Sequence, residues 1–93
     1  MPQDRVERVF EALRQDPSQQ AGWEALGWAY IRTDRKEQAW QLWEYFQQLM
    51  PNEWMPYNLL AQGAIMKQDW RAADVHFKKA LELKPDLFDL RFW

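Results

Sequence analysis

Trp23-Glu24-Ala25-Leu26-Gly27-Trp28-Ala29-Tyr30 is the stretch that decides the reading of this chain. Its residues at spacings of three and four, Trp23, Leu26, Gly27 and Tyr30, fall on one face of a helix. The same face returns 34 residues later, where Tyr57 matches Trp23, Leu60 matches Leu26 and Ala61 matches Gly27. Further along, Ala39 matches Ala73, Trp43 matches Phe77 and Leu49 matches Leu83. Three prolines keep the same beat, Pro17, Pro51 and Pro85. A fixed period of this length marks an architecture built by stacking one supersecondary unit.

Working outward from that stretch, every segment reads as helix. Val6, Val9, Phe10 and Leu13 form one apolar stripe over 3–15. Asp16 and Pro17 stop it, because the residue before a proline disfavours the α region. The second helix runs over 20–33. Asp34 followed by Glu37 has the spacing of a capping box for the third helix. That helix carries Ala39, Trp40, Leu42, Trp43, Phe46 and Leu49, and ends before Pro51. Asn52 or Glu53 opens the fourth helix, with Pro56 in its first turn, where a missing N–H costs little. It carries Tyr57, Leu60, Ala61, Ala64 and Ile65. Asp69 caps the fifth, which carries Trp70, Ala73, Phe77, Ala80, Leu81 and Leu83. A sixth helical segment starts after Pro85 and runs to Trp93. No stretch has the β-branched alternation of a strand. The expected fold is all-α, with short connections making sequence neighbours pack antiparallel.

Composition narrows the function classes. Ninety-three residues make one small domain. No cysteine is present, which removes disulfides, thiolate catalysis and cysteine metal sites. The net charge of −2 comes with both signs interspersed, and no basic stripe suits nucleic acid. No apolar run is long enough to span a bilayer, and the first residues lack the apolar core of a signal peptide. These readings lead to the expectation of a cytoplasmic protein without nucleic-acid or membrane partners. His76 stands without a second ligand at helical spacing, and carboxylates such as Asp4 and Asp74 have a basic residue four places on, as solvated helix faces do. With no glycine-rich phosphate loop and no nucleophile elbow, no catalytic residue, metal site or cofactor is expected, and the chain reads as a non-enzyme.

The residues Trp23, Leu26, Gly27 and Tyr30, followed by Ala39, Trp43, Phe46 and Pro51, resemble a tetratricopeptide repeat over 20–53. A second copy over 54–87 carries Tyr57, Leu60, Ala61, Ala64, Ala73, Phe77, Ala80 and Pro85. Residues 3–17 resemble the second helix of a preceding repeat, and 88–93 the start of a further or capping helix, so the resemblance covers nearly the whole chain. It departs from the family pattern at Phe46, where alanine is usual, at Ala64, where tyrosine is usual, and at Gln68, where glycine is frequent. A non-glycine residue there leads to the expectation that this turn differs in detail.

The resemblance implies a short right-handed superhelix of helix pairs, five helices plus a short C-terminal segment, whose first helices line a concave groove for a partner's peptide. Groove positions carried over residue by residue are Glu24, Trp28, Ile31 and Arg32 from one copy and Met55, Asn58, Gln62, Ile65 and Met66 from the next. The positions that form a carboxylate clamp in one chaperone-binding subfamily hold Glu24, Trp28, Leu59, Asp89 and Trp93, none of them a clamp residue. An apolar or aromatic peptide, with one acidic residue for Arg32, suits the groove better. The implied function is a protein-binding adaptor or co-chaperone-like module. The alternative is homo-oligomer formation through the apolar end, chiefly Phe88, Phe92 and Trp93.

Overall fold

A computed structural model describes residues 2–86, with side chains from Val6 onward. The expected sixth helical segment, with Phe88, Phe92 and Trp93, lies outside the described residues. Among those described, the secondary structure is five helices and no strand: α1 (Pro2–Gln15), α2 (Gln20–Arg32), α3 (Lys36–Leu49), α4 (Trp54–Met66) and α5 (Trp70–Leu83). The chain divides into two compact units, one ending at Met50 and one beginning at Pro51. In the first, α2 packs on α3 and α1 on α2; in the second, α4 packs on α5.

The 34-residue beat is written into the backbone. In α2, the Arg35 N–H bonds the Tyr30 carbonyl (2.7 Å) and the Asp34 N–H bonds the Ile31 carbonyl (3.2 Å). In α4 the matching bonds run from Asp69 to Ala64 (2.8 Å) and from Gln68 to Ile65 (2.9 Å). Each pair is a Schellman motif, closing the helix by a residue in the left-handed region. Those residues are Asp34 (φ 63°) and Gln68 (φ 60°). The turns at Asp34 and Gln68 share one backbone course, and each carries a side chain where glycine has no steric penalty.

This conformation also corrects the expected cap of α3. Asp34 sits in the left-handed turn, one residue too early, and the N-cap is Arg35, which makes no side-chain cap bond. The matching position in the second unit holds Asp69, whose carboxylate accepts from the Ala72 N–H at 3.2 Å as expected. At the far ends, α3 and α5 both stop two residues before a proline, at Leu49 and Leu83. The Met50 N–H bonds Phe46 (2.9 Å) and the Lys84 N–H bonds Ala80 (2.9 Å).

Rings fill the first unit. Trp23 is fully buried and stacks on Phe46, with ring centroids 4.8 Å apart and planes 2° apart. Its indole N–H donates to the Pro17 carbonyl at 3.0 Å. Trp43, also fully buried, donates its indole N–H to the Trp23 carbonyl at 3.0 Å. That indole lies so close to α2 that a Cβ on Gly27 would sit inside the ring's van der Waals envelope. Gly27 is thus required by a close approach between helix and ring.

In the second unit the buried positions are mostly small. Ala61, Ala64, Ala73 and Ala80 are in the core, with Tyr57, Leu59 and Pro56 as its larger members. Tyr57 donates its hydroxyl to the Pro51 carbonyl at 2.7 Å. This is the bond that Trp23 makes to Pro17, displaced by one repeat. Trp70, expected to pack, is 63% exposed. Ile65 is exposed and Leu59 is fully buried.

Candidate functional site

The nine candidate groove residues fall into two stripes, one in each unit. On α2, Glu24, Trp28, Ile31 and Arg32 follow at spacings that keep one helix face. Glu24, Trp28 and Ile31 are half-buried and Arg32 is exposed. Trp28 is held from behind: its ring meets Trp43 edge-on, with centroids 5.6 Å apart and an interplanar angle of 69°. The core that buries Trp43 therefore sets the angle at which Trp28 shows its other face, a well-supported geometry for a rigid apolar contact.

On α4, Met55, Asn58, Gln62, Ile65 and Met66 make the second stripe. Met55, Asn58 and Gln62 are half-buried, while Ile65 and Met66 are each 39% exposed. Chemically this face combines adaptable apolar side chains with two carboxamides, which both donate and accept hydrogen bonds. The charged residues of α2's stripe lie at its two ends, Glu24 and Arg32, with the apolar pair between them. The assembly residues Phe88, Phe92 and Trp93 lie outside the described residues.

A second feature lies wholly within the first unit and was not among the sequence expectations. A cleft of about 240 Å³ opens between α1, α2 and α3, lined by Phe10, Tyr30, Gln38, Gln41, Leu42 and Tyr45. Phe10 and Tyr45 face each other with centroids 5.7 Å apart, and both lean on Trp23, at 6.4 and 6.1 Å. Gln38, Gln41, Leu42 and Tyr45 fall at i, i+3, i+4 and i+7 of α3. That stripe, beside the packing stripe of Ala39, Trp43 and Phe46, is the only part of the cleft that sequence spacing signals.

The titrating groups with displaced values are on the surface. Asp16 accepts from the Ser18 hydroxyl at 2.6 Å and from the Gln19 amide at 3.3 Å; the Ser18 bond is the larger cause that holds its carboxyl below the ordinary value. Glu11 is lowered by its bond from Arg14, then by that from Gln15, and Lys78 is raised by Asp74, 2.8 Å away. These are solvated helix-face and turn contacts. Among the described residues no three His, Asp or Glu side chains gather in a metal-binding group, and no helix is long and apolar enough to cross a membrane. No family model matches this chain, and no curated protein matches it.

Proposed function

We propose that this chain is a protein-interaction module of the tetratricopeptide type, without enzymatic activity, that binds a partner's extended peptide. In this reading the helix pairs are antiparallel and stack as a short right-handed superhelix. The stripes of α2 and α4 then line one concave groove. The support comes from the repeated backbone devices, two Schellman turns and two aromatic bonds to proline carbonyls, each pair 34 residues apart. Repeated punctuation of this kind is what an array of stacked helix pairs requires of each unit.

The observation that carries the binding role is the α4 stripe. Ile65 and Met66 stay exposed at 39% beside Asn58 and Gln62 instead of being drawn into the alanine-rich core. Apolar contacts supply affinity, the carboxamides bond the peptide backbone, and Arg32 selects one acidic residue. Few repeats bury little peptide, so the affinity is modest. The reading is tested by selecting peptides from a displayed random library on the wild-type chain. Calorimetry on the best binder then compares wild type with Asn58→Ala/Met66→Glu, with circular dichroism confirming that both fold. Binding weakened about tenfold or more is the expected result; unchanged binding rejects the groove.

A further inference from the structure

We propose that the cleft between α1, α2 and α3 is a second docking site, which takes one large apolar side chain of an acidic peptide. The inference is independent of the groove reading, because none of the residues that build the cleft is among the nine groove candidates.

Size limits the occupant first. A volume of about 240 Å³ falls below the roughly 300–1,000 Å³ typical of small-molecule pockets, and suits a side chain better than a cofactor. The lining then sets its chemistry. Leu42 is buried at the base and the three rings of Phe10, Tyr30 and Tyr45 form half-buried walls, an apolar and aromatic environment. Gln38 and Gln41 are exposed on α3 at the rim, one turn apart. Each amide offers donors and an acceptor to a peptide backbone crossing the opening.

Charge selects the peptide. No carboxylate lines the cleft. The Arg35 guanidinium lies 5.6 Å from the centre of the Tyr30 ring, fixed by its Nε–H bond to the Thr33 hydroxyl at 3.2 Å. Among the described residues no carboxylate is within ion-pair range of it. On the Tyr45 side, Arg14 is already matched by Glu11 at 3.0 Å. The uncompensated cation beside the rings is therefore Arg35, and an acidic residue flanking the inserted side chain meets it.

The second copy does not repeat this lining. Some positions keep their residue class in both copies, as at Trp23 and Tyr57, Ala39 and Ala73, or Trp43 and Phe77. The cleft positions do not. Tyr30, Gln38, Gln41, Leu42 and Tyr45 correspond to Ala64, Ala72, Val75, His76 and Lys79, and Phe10 corresponds to Glu44. The first unit carries a chemistry here that the second folds without.

The test is a titration of the full chain, followed by the NMR signals of the Gln38 and Gln41 side-chain amides and the Arg35 Nε–H. The probe is the peptide acetyl-Asp-Phe-Asp-amide, compared with acetyl-Asp-Ala-Asp-amide and acetyl-Lys-Phe-Lys-amide. Saturable shifts at these signals are expected with the first peptide, weaker by about tenfold or more with either control. Gln41→Glu, an exposed substitution, and Arg35→Gln each weaken the titration while leaving the circular dichroism spectrum unchanged. Equal binding of the lysine or alanine peptide overturns the proposal, as does a titration that moves signals of the α2 and α4 stripes without moving the cleft.

Discussion

The two units solve the same packing problem with different materials. In the unit ending at Met50, large rings interlock: Trp23 on Phe46, Trp43 under Trp28, Phe10 and Tyr45 against Trp23. In the unit beginning at Pro51, four alanines occupy the core and the larger members are Tyr57, Leu59 and Pro56. What stays constant is backbone punctuation. Both first helices close with a left-handed residue, both second helices stop before a proline, and in both an aromatic side chain donates to the carbonyl of the preceding proline. The difference teaches which features the repeat requires and which it merely accommodates. Turn geometry and one anchored aromatic are required, whereas volume can be distributed in more than one way provided it is filled.

Residues 27 and 43 against 61 and 77 show this trade most clearly. The first unit has Gly27 and Trp43; the second has Ala61 and Phe77. A larger ring goes with the absence of a Cβ. The largest expected effect follows from breaking that match. Gly27→Ala gains helix propensity but drives a methyl into a buried indole, and the net loss is about 1–3 kcal/mol in urea unfolding. Adding Trp43→Phe makes the first unit resemble the second and restores part of the loss, seen as a favourable coupling in the double-mutant cycle. Strictly additive losses mean the two positions are independent.

A smaller effect sharpens the comparison at the proline bond. Tyr57→Phe keeps the ring and removes only the hydroxyl that donates to Pro51, so stability falls by about 1 kcal/mol. A change indistinguishable from zero makes that bond incidental, and with it the matching bond of Trp23. The smallest effect concerns the turns. Gln68→Gly relieves a left-handed side chain and stabilises by up to about 1 kcal/mol. Asp34→Gly does less, because aspartate tolerates that region better than glutamine. Thermal melts rank the two, and the reverse order rejects backbone strain as the cause.

Much of the helical architecture was legible from local pattern. The spacing of apolar residues, the prolines and the Asp69 cap place five helices within a residue or two of their observed bounds. The two stripes proposed to bind peptide come from the family resemblance; spacing shows only that each keeps to one helix face. The capping residue of α3 was not, because Asp34 and Arg35 compete for adjacent roles and the Schellman bonds to Tyr30 and Ile31 decide which is outside the helix. The burial of Leu59 and of Trp70 was not legible for another reason. Both are apolar and helical, and burial depends on whether a neighbouring element covers that side. Leu59 is covered completely and Trp70 stands 63% open.

The cleft belongs to the same class. Its residues come from three helices, and no spacing rule brings Phe10 and Tyr30 to the stripe of α3. The sequence alone determined the repeat, its period, the helix type of each described segment and the points where helices stop, because periodicity and turn chemistry act over a few residues. Tertiary structure alone decided that Gly27 must lack a side chain, that Phe46 spends its volume on Trp23, and that three rings and two amides line an open cleft. Those outcomes depend on distances between helices, and close packing sets such distances by the joint shape of all the side chains that meet there.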